Sequence, residues 1–317
     1  MTYALPYALK KIILALPVLI GVSVIAFLLG VVALGDPARE ALSADGVSTP
    51  TQEEIDVKRR ELGLDQSLGK QYQQWIGGIL QGDLGTSFMT NIPIAEEFRD
   101  RLPKTVALSI SALLLVIFLS IPLAVLMAVY QHSWFDHIGR LFSLLLISTP
   151  GFLAAILLMM FFSVHLRWLP TSGYGTFSHL IIPSLVLAFG TSGVIMRVNR
   201  ATLLEVLNKN YILNAHAKGL TNPFVLYRHA LRNSLLPVIT LIGNYFGGIL
   251  GGSAIVETIF AIPGVGRYAV EGIMSMDYPV IQAYVLFTGV VYVLFNLLID
   301  LSYIIIDPRI RLGGDQG

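Results

Sequence analysis

Six stretches of this chain contain no Asp, Glu, Lys or Arg: residues 12–35, 105–130, 141–166, 169–196, 233–256 and 278–299. Each is long enough to cross a hydrocarbon core of about 30 Å, which takes about 20 helical residues. Inside a bilayer the backbone must satisfy its own hydrogen bonds, so these runs predict helices. The fourth run is longer than its span; residues 170–175 read as a turn, which starts that helix near His179. Only 13% of the residues are charged, against roughly 25% in soluble domains. Lys10 and Lys11 before the first run, with Ala33, Leu34 and Gly35 after it, resemble a secretory signal and its cleavage site. The run exceeds the apolar core of about 7–15 residues usual there, so it is assigned as a retained span.

Orientation follows from lysine and arginine. With the N-terminus inside, eleven fall on the cytosolic side: Lys10, Lys11, Arg140, Arg197, Arg200, Lys209, Lys218, Arg228, Arg232, Arg309 and Arg311. The short outer loops hold two, Arg167 and Arg267. The segment 36–104 is too long to weigh in this count. Both termini are therefore expected in the cytosol.

The expected fold is all-α: a polytopic membrane protein with six transmembrane helices and an extracytoplasmic helical insertion after the first. It divides into a tail and first span (1–35), the insertion (36–104), a five-helix core (105–306) and a C-terminal tail (307–317). Within the insertion, Thr49-Pro50-Thr51-Gln52 reads as a capping-box start and Gly63 as a stop. Leu68, Tyr72, Trp75, Ile76 and Ile79 recur at helical spacing up to Gly82. A third short helix is expected over about 93–102. The insertion either docks a partner or caps the outer ends of the spans. After the fifth span, Val265, Tyr268, Ala269 and Ile273 predict one face of a short amphipathic helix. Pro122 and Pro183 lie inside spans, as pathway-shaping bends or ordinary kinks. Small residues over 243–252 fit close helix packing.

Between the fourth and fifth spans lies a polar, basic island, residues 208–237, with Lys209, Lys218, Arg228 and Arg232. Gly219 has the character of a C′ residue ending one helix. Asn222-Pro223 predicts an N-cap and first position of another. The second helix would line up Phe224, Tyr227 or Arg228, Leu231 and Leu235 on one side. The plain alternative is a loop lying on anionic lipid.

Several classes are excluded. There is no cysteine, and the net charge of +1 carries no basic excess for nucleic acid. Gly63 to Gly69-Lys70 misses the phosphate-loop pattern: its glycines are one position too far apart, and Gln71 replaces the Ser or Thr. No HExxH, GxSxG or paired intramembrane carboxylates occur, so no catalytic residue, metal site or cofactor is expected. The six histidines lie at span ends or in cytosolic loops, where a locally hydrogen-bonded imidazole is the simplest account. An ion-driven transporter or channel would usually carry ionisable groups within a span; these runs have none.

The island can then be compared. Asn214-Ala215-His216-Ala217-Lys218-Gly219-Leu220, Arg228-His229-Ala230-Leu231-Arg232-Asn233 and Leu236-Pro237 resemble the coupling loop of permease subunits of ABC importers. The broad pattern opens on Glu-Ala-Ala; here Leu213 stands at the Glu position, and the gap from Gly219 to Pro237 is long. Both departures are features of the peptide/nickel branch. Gly35-Asp36-Pro37, Leu62-Gly63-Leu64-Asp65-Gln66, Gly82-Asp83-Leu84-Gly85-Thr86-Ser87, Pro263-Gly264-Val265-Gly266-Arg267, Asp277-Tyr278-Pro279-Val280 and Asp307-Pro308-Arg309-Ile310-Arg311 look similar to the same branch. Residues 167–175 and 260–282 look like the nickel permeases. The resemblance thus implies a nickel chelate as cargo, with dipeptides or oligopeptides as the alternative. It also implies a second homologous permease, two ATPase subunits, an extracytoplasmic solute-binding protein and the lipid bilayer as partners. The ATPase-coupling residues it implies are Ala215, His216, Ala217, Lys218, Gly219, Leu220, Phe224, Tyr227, Arg228, Leu231 and Arg232, within 208–234.

Overall fold

The computed structural model describes residues 4–32, 36–44 and 49–306. Gly35, the Asp307–Arg311 motif and the tail 307–317 fall outside the described residues. Among the described residues the chain is helical, with one isolated bridge between Thr86 and Pro93. The helices are α1 (Ala4–Val32), α2 (Pro37–Ala44), α3 (Gln52–Glu61), α4 (Leu68–Leu80), α5 (Ile94–Val129), α6 (Trp134–Ser148) and α7 (Gly151–Leu158). There follow α8 (Ser178–Leu207), α9 (Asn210–Ala217), α10 (Asn222–Val225), α11 (Arg232–Ser234), α12 (Leu236–Gly252), α13 (Ala254–Ile259), α14 (Val265–Met274) and α15 (Tyr278–Ile306). Met159–His165 and Leu226–Leu231 are π-helical. The chain forms two compact units: 107–249 with 295–306, and 5–106 with 250–294.

Over their described residues, four of the six charge-free runs keep their expected form; the other two, the third and the fifth, lie in or begin in the first unit and do not. The third run is broken: α6 and the α7–π segment meet at 106° around Thr149-Pro150. Proline cannot donate the next ladder bond, and the residue before it is pushed to extended backbone; Thr149 has ψ 117°. The fifth run begins with a 51° bend ahead of α12. By contrast α5 and α8 run unbroken through Pro122 and Pro183. The core of this unit joins Val116, Ala188, Ile195 and Val238. Close approach uses glycine: a Cβ on Gly193 would lie 2.5 Å from the Ser143 carbonyl oxygen, and one on Gly243 would lie 2.3 Å from Ile299 Cγ1. Of the glycines expected to pack closely over 243–252, Gly243 does so, whereas a Cβ on Gly248 would meet nothing within 4 Å.

In the second unit the three small helices α2–α4 precede the start of α5. A capping box forms two residues later than the expected Thr49–Gln52 quartet: Glu54 N donates to Thr51 Oγ1, and Thr51 N to Glu54 Oε2. Gly63 (φ 67°) and Gly82 (φ 86°) end α3 and α4 in paired closing bonds, Leu64 N to Arg59 O and Asp83 N to Gly78 O. The helix expected over 93–102 is instead the beginning of the 36-residue α5. Phe27 packs on Tyr72 and Trp75, with ring centres 5.5 and 5.9 Å apart. Ile94, Phe98, Val265, Tyr268, Val280 and Ala283 form a core. Ile273, expected in that face of α14, is 57% exposed; Gly272 is buried there against Val280.

Two buried carboxylates organise this unit. Asp277 accepts from Ser87 Oγ (2.5 Å), Phe88 N (3.2 Å) and Met89 N (3.3 Å). Glu257 accepts from Ser253 Oγ (2.6 Å), Thr105 Oγ1 (2.8 Å) and Arg267 N (2.9 Å). Asp277→Ala is therefore expected to cost about 1.5–3 kcal/mol, the range for hydrogen bonds to a charged group. Amide exchange over 85–93 should rise while that of α8 stays unchanged.

Two further helix ends lack glycine. Ala261 (φ 53°) and Met276 (φ 55°) close α13 and α14 through Ile262 N to Glu257 O and Asp277 N to Gly272 O. A left-handed residue with a Cβ carries about 1–2 kcal/mol of strain. Ala261→Gly is expected to recover roughly half of that, read as a higher thermal midpoint in detergent.

Candidate functional site

The island folds as an elbow. Helix α8 stops at Leu207, Lys209 is the N-cap of α9, and α9 ends at Ala217 with Lys218 as its C-cap. Gly219 follows with φ 82°, as expected for C′. Leu220 N donates to Ala215 O (3.3 Å) and Gly219 N to His216 O (2.8 Å), which together close the helix end. Helix α10 starts one residue earlier than the sequence suggested: Thr221 is the N-cap, and Asn222 is already helical. Asn222 Oδ1 instead meets His216 Nε2 at 3.2 Å and ties the two helices together.

The π-helical segment decides which face is buried. An i→i+5 ladder brings residues five apart into line, and Val225 (1% exposed) and Ala230 (0%) point inward. They join Ile212, Ala215, Leu203, Val125 and Ala128 in one core, with Leu226 and Leu231 packed against it. The face predicted from a 3.6 period, Phe224 with Tyr227 and Leu231, is therefore split. Leu231 turns inward, whereas Phe224 and Tyr227 stay 49% and 65% exposed.

Of the eleven residues implied for coupling, Ala215 is buried in the elbow's own core and Leu231 is half-buried there. His216, Ala217, Lys218, Gly219, Leu220, Phe224, Tyr227, Arg228 and Arg232 are exposed. Pro223, Phe224, Tyr227 and Arg228 line an open hollow of about 430 Å³. The Phe224 ring meets His229 edge-on at 5.9 Å. Leu213 and Tyr211, 64% and 43% exposed, are not among the residues implied for coupling. Leu213 stands at the Glu position of the broad pattern; an uncharged residue there was the only signal available.

A second element missed by sequence reasoning braces the elbow's base. Asp136 is fully buried at the start of α6. It accepts a fork from Arg200 on α8, Nε at 2.6 Å and Nη2 at 2.7 Å, and a third bond from His132 N at 3.2 Å. The Arg200 hydrogen bond is the main cause holding the Asp136 carboxyl below its ordinary range. Thr202 Oγ1 donates to Ser234 O (3.1 Å), and Asn233 Nδ2 to Tyr211 Oη (3.2 Å). The elbow is thus bound to α8 on its underside and open on its outer face. Among the described residues no cluster of three or more His, Asp or Glu is placed to hold a metal. His137 and His179 make local bonds, to Ser133 O and Thr176 Oγ1 at 2.7 Å each.

Comparison with known proteins identifies the family. Residues 120–312 match the model of the binding-protein-dependent transport system inner membrane component, and residues 4–109 match the corresponding N-terminal model. The chain is 38% identical to a glutathione transport system permease protein of Salmonella choleraesuis, over 97% of this chain and 99% of that one. It is 40% identical to a putative peptide transport system permease protein of Brucella abortus, over 96% and 98% of the two chains. The inward-facing MetNI methionine ABC transporter shares the fold, with TM-score 0.57 at 16% identity, over 67% of this chain and 96% of that one. An apolar multi-helix chain with a braced elbow, matched along almost its whole length, belongs to the binding-protein-dependent transport system inner membrane components, as a non-enzymatic permease subunit of a peptide-type ABC importer.

Proposed function

We propose that this chain forms half of the translocation pathway for short peptides and that an ATPase subunit grips it at the elbow. The observation that carries the proposal is the two-sided character of residues 208–234. The underside is fixed by Ile212, Ala215, Val225 and Ala230, while Phe224, Tyr227 and Arg228 face outward around a hollow. Exposed aromatic and arginine side chains are the residue types that anchor interfaces. Arg228 and Arg232 pair with acidic groups of the ATPase in this account. Closure of two ATPase subunits then drags the elbow, and the bundle alternates with a second, homologous permease between outward and inward openings. An extracytoplasmic binding protein delivers the cargo beside the insertion 36–104, and both termini lie in the cytosol.

The cargo assignment shifts from the nickel chelate expected on residues 167–175 and 260–282. The relatives compared above are named for glutathione and peptides, which supports small peptides of that kind instead. Uptake of labelled glutathione and dipeptides by the complete importer, with a nickel chelate as competitor, tests this. No peptide uptake, with a radiolabelled nickel chelate taken up in its place, would return the cargo to nickel.

The chain has no cysteine, so single-cysteine variants need no prior background removal. Tyr227→Cys is expected to crosslink to an ATPase subunit and Ala230→Cys to remain uncrosslinked. Equal yields at both positions, or none at Tyr227, would refute the docking assignment.

A further inference from the structure

The second unit contains a cavity of about 460 Å³ among α1, α3, α4 and the first residues of α15. That volume lies in the range of small-ligand sites, about 300–1,000 Å³. Its walls combine three chemistries. Phe27 and Trp75 supply an aromatic floor. At one side Arg59 donates Nη2 to Asp36 (2.6 Å) and Nη1 to Asp56 (3.2 Å). A guanidinium has five N–H groups, so those two bonds leave it donors for another carboxylate. The third component is amide. Gln71 Nε2 is held by the carbonyls of Leu64 and Gln66 (3.3 and 2.8 Å), and Gln282 Nε2 by that of Phe27 (3.1 Å). With their NH₂ groups tied to the backbone, the two side chains keep carbonyl oxygens as acceptors. Gly30 makes room for this: a Cβ there would lie 2.1 Å from Gln282 Nε2. A second hollow of about 400 Å³ shares Trp75, Phe88, Pro279 and Gln282, so the space continues along the α15 start.

A carboxylate receptor, amide acceptors and an aromatic floor in one cavity match a short zwitterionic peptide. We infer that this cavity binds one: its C-terminal carboxylate on Arg59, its amino group and N–H toward Asp36 and the Gln71 and Gln282 carbonyls, and an apolar side chain on Phe27 and Trp75. The charge distribution puts this unit's small helices outside the cytosol, where peptide arrives. The ligand chemistry comes from the cavity walls; that the ligand is cargo on its way inward rests on the peptide reading above. The site would give the permease a selectivity of its own before the pathway opens.

The test uses the complete, nucleotide-free importer in nanodiscs without its binding protein. Radiolabelled Ala-Phe is expected to bind saturably. N-acetyl-Ala-Phe-amide, lacking both terminal charges, should bind at least about tenfold more weakly, since one charge-assisted hydrogen bond is worth about 1.5–3 kcal/mol and 1.4 kcal/mol is tenfold. Arg59→Gln should weaken Ala-Phe by a similar factor. Because that variant also loses the Asp36 pair, a second measurement needs no substitution: photolysis of Ala-benzoylphenylalanine should label Phe27 or residues 68–80. Label confined to other segments, or affinity indifferent to the terminal charges, overturns the inference. Labelling of the cavity in an importer that fails to take up peptides supports the site and removes the cargo reading. Uptake of Ala-Phe without label here supports the cargo reading and removes the site.

Discussion

Replacing Phe224 and Tyr227 together by alanine is expected to lower ATP-driven uptake at least about 100-fold while leaving the chain inserted and folded. Both rings stand outside the elbow's core, 49% and 65% exposed, and the ring contact of Phe224 is with His229. Truncating them removes little that holds this chain together. Aromatic anchors at an interface centre cost about 2 kcal/mol or more each when truncated, and 1.4 kcal/mol is tenfold in affinity. On the docking proposed above, losing two anchors from one face should take most ATPase subunits off the permease at ordinary concentrations. Co-purification of the ATPase should fall with uptake. Val225→Ala gives the opposite pattern: it removes buried volume from the elbow's underside and lowers stability before it touches docking.

Asp136→Asn should be the most destabilising single substitution at the base of the elbow. The carboxylate is fully buried, and Arg200 keeps 17% of its side-chain surface. Removing one partner of a buried pair strands the other charge, at about 3–5 kcal/mol. The double variant Asp136→Leu with Arg200→Met should recover much of that loss, because it strands no charge. Thermal unfolding in detergent separates the two. The sign of the pH effect follows from the direction of the shift. Asp136 is held below its ordinary range by Arg200, so its contribution is fully present above about pH 4, the ordinary aspartate value. It is lost only as pH falls further through the lowered folded-state value. Stability from this brace should therefore be flat from pH 8 to about pH 5. A loss centred near pH 6.5 would point to a histidine instead.

The spans were legible because excluding charge over a bilayer's width is a strong demand that few other structures make. Helix ends were legible where glycine marked them, at Gly63, Gly82 and Gly219. They were hidden where Ala261 and Met276 take the same left-handed backbone, since a side chain there gives no local signal. The bend at Thr149-Pro150 was written in the sequence but lay inside a run whose uniform apolarity suggested one straight helix. The elbow's face was misassigned because a 3.6 period was applied to a π-helical segment; five-residue spacing selects Val225 and Ala230. Asp136 and Arg200 lie 64 positions apart, and a one-dimensional charge count assigns each a side of the membrane without joining them.

Vesicles rebuilt with and without the ATPase subunits test the central claim most directly. The account predicts concentrative uptake of peptide with permeases, ATPase, binding protein and ATP all present, and none when the ATPase is withheld, whatever proton or sodium gradient is imposed. Uptake driven by a gradient through this chain without any ATPase would contradict it.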